Sequence, residues 1–359
     1  MMDERVKKIL ELAVANKASD VHLIGGSVSK LRVSGTLMDL ADSYQVTTEE
    51  MEKMILSMLS EGQREALIKE KEIDFSLEVA GARYRVNVYR QKGTLAVAFR
   101  VIPMEIPQME SLNLPEILKS FLELKQGFVL ITGPTGHGKS TTLASMLDRI
   151  NQHRACHIVT IEDPVEYLIT PKKAIISQRE LGTDTNSFDN ALRSALRQDP
   201  NVVLVGEMRD LDTISAAMTV AETGHLVFST LHTNSAAQTV DRIVDVFPEG
   251  EKEQIRIQLA SVLTAVISQR LVPTVEGKLI PAFEIMVANS AVRNTIRESK
   301  SFMIDNIIST SADMGMMSLE TSLASLVKQG VISDEEAMRH CLKPEELQSR
   351  LRERVLKNA

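Results

Sequence analysis

The chain has 359 residues, 41 Lys and Arg against 48 Asp and Glu, and a formal net charge of -7. That length exceeds one typical core and sets two domains as the expectation, while the acidic balance argues against a dominant nucleic-acid footprint and allows only a local basic patch. Cys156 and Cys341 fit no metal-ligand or disulfide spacing, and no apolar run approaches the roughly 20 residues that a membrane helix needs.

The opening MMDERVKKILELAVANKASD carries Val6, Ile9, Leu10 and Ala13 at helical spacing. It predicts a packed helix over 3–17 rather than a secretory signal, and hence a cytoplasmic protein whose work at any membrane is done through a partner. VHLI and LRVSGTL, the latter around a Ser-Gly turn, read as short strands, and 47–69 reads as helical. Then Ile73, Phe75, Leu77 and Val79 alternate with polar residues, Ala80-Gly81 turns the chain, and Tyr84, Val86 and Val88 alternate again. Gln91-Lys92-Gly93 makes a second turn before Leu95, Val97, Phe99 and Val101. Residues 1–102 are therefore expected to form an α+β domain around an antiparallel meander. Pro103, Pro107 and Pro115 mark 103–115 as a linker.

From 116 to 359 the pattern changes. The apolar runs GFVLIT, HIVTIED, AIISQ, VVLVGE and HLVFSTLHT alternate with helical segments such as 187–197, which predicts a largely parallel sheet covered by helices. From about 251 onward the chain reads as helix almost throughout, interrupted at Pro273, Gly277 and Pro281.

GPTGHGKS at 133–140 fits G-x-x-x-x-G-K-[ST]. A strand enters the loop and STTLASMLDRI leaves it as a helix, so Gly133, Pro134, Thr135, Gly136, His137, Gly138, Lys139, Ser140 and Thr141 should present backbone N–H groups and a helix N-terminus to phosphates. Lys139 should reach the β- and γ-phosphates of ATP and the Ser140 hydroxyl should meet Mg2+. Hydrolysis also needs carboxylates at strand ends facing the loop. Glu207, after VVLVG, is the candidate for the attacking water and the metal shell, and Glu162 is a second catalytic and Mg2+ candidate; Asp163, beside Pro164, equally suits a turn. His225 and His232 flank one strand and are candidates for sensing the γ-phosphate or for a subunit interface. Arg83, Arg85, Arg100, Arg242 and Arg270 are candidate arginine fingers, each as readily a solvated or salt-bridged side chain.

GPTGHGKSTT, IEDPVEY, VVLVGEMRD and ETGHLVFSTLHTNSA, with ASDVHL and FRVIP ahead of them, resemble the Walker A, Asp box, Walker B and His box of the type II/IV secretion ATPase superfamily. The likeness spans essentially the whole chain. Within the superfamily it is to the retraction ATPases of type IV pili: one compact N-terminal domain, no four-cysteine zinc module, and AVRNTIRE at 291–298 similar to an element associated with retraction. His137 stands where the family usually has Ser, at a position that contributes mainly backbone, so little consequence is expected; Val292 and Thr295 also depart from the retraction element.

The resemblance implies an α/β protein with a PAS-like α+β domain followed by a RecA-like P-loop ATPase domain, its C-terminal part helical from about 290. It implies a homohexamer with ATP and Mg2+ between subunits, Glu162 and Glu207 in the catalytic carboxylate roles, and His225 and His232 near the nucleotide. The implied work is pilus retraction and twitching motility, at the cytoplasmic face of the inner membrane. The implied partners are an inner-membrane platform protein, a second retraction ATPase and, indirectly, pilin, with no direct nucleic-acid contact. The alternatives are a pilus-assembly or type II secretion ATPase, and a nucleotide-gated accessory subunit with little hydrolysis.

Overall fold

The structure, a computed structural model, describes residues 2–33, 35–40, 46–102 and 105–357, with side chains described as far as residue 352. Ser34 of the expected Ser-Gly turn and Pro103 of the expected linker lie outside the described residues. The chain divides into two compact units, Met1–Glu105 with Pro164–Leu168, and Ile106–Asp163 with Ile169–Ala359.

The first unit begins with α1 (Glu4–Ala15), whose N-cap Asp3 accepts the Arg5 N–H. Strands β1 (Asp20–Ile24), β2 (Lys30–Val33) and β3 (Thr36–Asp39) follow, then helices α2 (Thr48–Leu56) and α3 (Glu61–Glu70). Both helices start on capping boxes, Thr47 with Glu50 and Ser60 with Gln63, which satisfy the orphan N–H groups of the first turn. The expected meander is β4 (Glu72–Val79), β5 (Ala82–Gln91) and β6 (Thr94–Ile102). Its two hairpins turn on Ala80-Gly81 and Lys92-Gly93, all four at positive φ, the conformation whose twist matches the flanking strands. The antiparallel sheet runs β3-β2-β1-β6-β5-β4. On its covered face Tyr84 meets Phe99 edge to face with ring centroids 6.1 Å apart, and the Tyr84 hydroxyl donates to Leu10 O at 3.0 Å. Burial pushes that hydroxyl's pKa up to about 12.

The second unit opens with α4 (Ile117–Leu122), β7 (Gly127–Thr132), α5 (Lys139–His153), β8 (His157–Glu162), β9 (Ile175–Glu180), α6 (Phe188–Ala195), β10 (Val202–Val205), α7 (Leu211–Glu222), β11 (Leu226–Leu231), α8 (Ala236–Asp245) and α9 (Lys252–Val262). Strands β12 (Leu263–Pro273) and β13 (Leu279–Val287) come next, followed by α10 (Ser290–Arg297), α11 (Ile304–Thr310), α12 (Leu319–Lys328), α13 (Asp334–His340) and α14 (Pro344–Lys357). The sheet order is β13-β12-β7-β11-β10-β8-β9, parallel except for the β12–β13 pair. Leu192, Ile214, Val240, Leu259 and Val292 pack on one face and Leu118, Leu143 and Leu147 on the other, giving the three-layer arrangement of a RecA-like domain.

Strands β12 and β13 correct the helical reading from 251 onward. Their residues are buried on both faces, so LTAVISQRLVP shows no period-2 alternation, and a continuous apolar run does not by itself separate strand from helix. Pro281 sits on β13, an edge strand, where the missing N–H is tolerated. Among the Met residues near 315, Met316 fills the core while Met314 is half exposed.

Candidate active site

Parallel strands β7, β11, β10 and β8 lie side by side, so the segments leaving their C-terminal ends form one row: the phosphate loop, His232, Glu207 and Glu162. That edge is where open α/β sheets bind ligands. Helices α6, α7 and α8 are capped by the side chains of Ser187, Asp210 and Ser235. Helix α5 is instead capped by Gly138 at φ 79°, which makes no side-chain bond, and a helix N-terminus of this kind suits an anion.

The loop is pressed against β12. A Cβ on Gly133, at φ 137°, would lie 2.2 Å from Gln269 O, so only glycine fits there. Buried Gln269 joins loop and helix: its Nε2 donates to His137 O at 2.8 Å and its Oε1 accepts from Thr142 Oγ1 at 2.8 Å. Gly136 and Gly138 also have positive φ. The buried Lys139 ammonium donates to Gly133 O at 2.7 Å and Pro134 O at 2.9 Å, carbonyls of the loop itself.

His232 connects the loop to Glu207. Its Nδ1 lies 3.5 Å from Lys139 Nζ and 3.3 Å from Thr135 Oγ1, and its Nε2 lies 3.2 Å from Glu207 Oε2. An ammonium can only donate, so Nδ1 accepts and the ring proton sits on Nε2, where it donates to the carboxylate. The other Glu207 oxygen pairs with Arg209. Glu207 is thus an acceptor aimed by donors from two sides, with its side chain 16% exposed. Glu162, at the end of β8, lies about 14 Å from β7 across three inter-strand spacings. Its Oε1 accepts from Thr160 Oγ1 at 2.6 Å and from Gln178 Nε2 at 3.4 Å. A Cβ on Gly206 would come within 3.2 Å of Glu162 Cα, which explains a glycine between β10 and Glu207.

The Type II/IV secretion system protein family matches residues 1–279. The chain belongs to this family. It is 50% identical over 319 residues to a twitching motility protein of Neisseria gonorrhoeae, covering 88% of this chain and 85% of that one. It is 44% identical over 341 residues to the type IV pilus retraction ATPase PilT of Pseudomonas aeruginosa, covering 95% and 99%. Among solved structures, one of the pilus retraction motor PilT with bound ADP matches with a TM-score of 0.89 and 45% identity, covering 96% of this chain and 99% of that one.

The other expected site residues of this secretion-family chain are placed as follows. His225 precedes β11 and His232 follows it, so one whole strand, about 20 Å, separates His225 from its own subunit's loop. Its Nδ1 is engaged with Val220 O at 3.0 Å and Thr223 Oγ1 at 3.1 Å. Of the two roles expected for the histidines, sensing the γ-phosphate or forming a subunit interface, this position leaves His225 the second. Arg270 is half-buried, donating to His340 O and to Asn234 Oδ1, both at 3.2 Å; burial lowers its pKa, with Glu320 and Glu284 opposing. That packing ties it to its own chain. Arg83 and Arg85 lie on the face of β5 opposite Tyr84, and Arg85 pairs in register with Arg100, which is bonded to Asp20 at 2.9 Å. Arg242 is exposed on α8.

The sequence reading missed Gln269 because β12 was read as helix. The signal was a polar Ser268-Gln269 pair inside an apolar run. It also underrated His137, whose side chain makes a specific bond: Nδ1 accepts the Leu271 N–H at 2.9 Å.

Proposed function

We propose that the chain hydrolyses ATP as a subunit of a six-membered ring that powers type IV pilus retraction. The observation that carries this reading is the contact series Lys139, His232, Glu207, which joins the phosphate loop to a carboxylate at the neighbouring strand ends. Similarity to a retraction motor over 96% of the chain supplies the coupled work.

The residues fit a triphosphate. Lys139 exchanges two loop carbonyls for phosphate oxygens, and the α5 N-terminus adds backbone N–H groups. Glu207, held by His232 and Arg209, orients water for in-line attack and takes its proton. The contact from His232 to Lys139 ties that carboxylate's position to whether the ammonium is engaged by phosphate. Bound Mg2+ would neutralise charge on the β- and γ-phosphates, with the Ser140 hydroxyl as its ligand and Glu207 or Glu162 acting through water. Charge spreading in the transition state calls for an arginine from a neighbouring subunit. Arg83, Arg85, Arg100 and Arg242 remain the candidates, with 103–115 as the linker between the two domains.

Glu207→Gln should retain Mg·ATP binding and lose turnover by about a hundredfold or more, whereas Lys139→Ala should lose tight binding. Turnover at the wild-type rate in Glu207→Gln would sink its assignment. In cells, Lys139→Ala should leave excess surface pili and no twitching. Bald cells would instead mean that the loop drives assembly.

A further inference from the structure

We propose that the His137 side chain is a positioning residue of the phosphate loop: it replaces a missing strand along the exposed edge of β12, and nucleotide binding therefore depends on this ring being unprotonated. The inference rests on the reading of 133–140 as a nucleotide loop.

Pairing between β7 and β12 ends at Thr132 and Ser268, yet β12 continues to Pro273. Its last five residues therefore lack β7 on that side. Leu271 stands opposite Pro281 on β13. Proline has no N–H to give, so this pair is a non-hydrogen-bonded one and the Leu271 N–H points away from β13, toward the side β7 has left. The His137 ring occupies that place and accepts the N–H through Nδ1 at 2.9 Å. One residue is thus fixed to β12 twice, by its ring to Leu271 and by its carbonyl to Gln269 Nε2. Two such points set the tilt of the peptide whose neighbours, Gly136 and Gly138, must turn their N–H groups toward phosphate.

The bond requires a lone pair on Nδ1. Protonating the ring sets one N–H against another and adds a charge beside Arg270 on β12, His340 on α13 and Lys139 on α5. Burial, and then those three neighbours in that order, hold the His137 pKa below the ordinary histidine value. The working form near neutral pH is the imidazole.

The test is Mg·ADP binding to the full-length protein by titration calorimetry at about pH 7.5 and about pH 5.5, either side of the ordinary histidine range. Wild type is compared with His137→Asn, whose Oδ1 can take the same N–H without titrating, and with His137→Leu, which fills the space without an acceptor. At the higher pH, His137→Leu should bind about tenfold more weakly and His137→Asn within about threefold of wild type, the loss of one buried hydrogen bond. Toward the lower pH the wild type should lose affinity relative to His137→Asn, because proton uptake by the nucleotide and by other groups is common to both. Equal pH profiles for those two proteins, or wild-type affinity in His137→Leu, would overturn the inference. So would a wild type that gains on His137→Asn in acid, which would mean an imidazolium pairing with phosphate directly. If wild type failed to bind Mg·ADP at all, the nucleotide-loop reading itself would fall. If His137→Leu does not fold, the wild-type and Asn profiles still decide.

Discussion

Glu284 gives the sharpest quantitative expectation. It lies on β13 with 5% of its surface exposed, and its Oε1 accepts the Ala236 N–H, the first of α8, at 2.7 Å. Burial raises its pKa from 4.5 to about 7; the Ala236 bond opposes that, Asp305 and Glu320 reinforce it, and Lys343 opposes it. The folded protein therefore holds this proton more tightly than the unfolded chain does. The stabilisation is complete below about pH 4.5 and is lost as pH rises through about 7. At about 1.4 kcal/mol per tenfold in proton affinity, the loss by about pH 8 is about 3 kcal/mol. Glu284→Gln keeps an amide oxygen for Ala236 and removes the titration. Urea unfolding at about pH 5 and about pH 8 should show wild type losing about 2.5 kcal/mol more than the variant across that range, since part of the effect is already gone at the lower pH. Parallel profiles would refute the argument and mean that the carboxylate is solvated or neutralised by Lys343.

Two further substitutions test the frame. Gly133→Ala places a methyl 2.2 Å from Gln269 O in a backbone conformation that alanine avoids, so the loop must leave β12. Mg·ATP affinity should drop by about tenfold or more, and wild-type binding would show the loop to be slack. Tyr84→Phe removes the hydroxyl bond to Leu10 O while keeping the ring on Phe99, and should cost about 1 kcal/mol in thermal unfolding. A loss of several kcal/mol would mean that the hydroxyl serves more than that bond.

The phosphate loop was legible because its eight residues are contiguous and each does a local job: glycines where φ is positive, a lysine of the right reach, a helix start. Glu207 and His232 were legible as polar residues ending apolar runs, since in a parallel sheet such ends converge. His225 is outside the reach of that rule, because it stands before β11 and residues at the two ends of a strand are separated by its full length. Gln269 and the His137 ring were hidden for another reason. Their roles depend on β12 lying beside the loop, a contact more than 130 residues apart in sequence. Burial on both faces had erased the alternation that would have revealed that strand.

Strand β12 then explains why the site and the C-terminal helices form one packed body. Four consecutive residues carry six attachments: Ser268 to Thr132 of β7, Gln269 to the loop and to α5, Arg270 to Asn234 and to the end of α13, and Leu271 to His137. Asn234 lies two residues beyond His232 and two before Ala236, where Glu284 of β13 holds the start of α8. Glu320, which opposes the effect of burial on Arg270, accepts the N–H groups of Leu342 and Lys343 just ahead of α14. Each attachment is a hydrogen bond of about 3 Å in an interior packed at solid density, where sub-ångström slack is small. A displacement of the loop relative to β12 therefore cannot be absorbed at the loop alone. It must break one of these bonds or move the His232 segment and the C-terminal helices with it, which is the mechanical property a phosphate-driven motor requires.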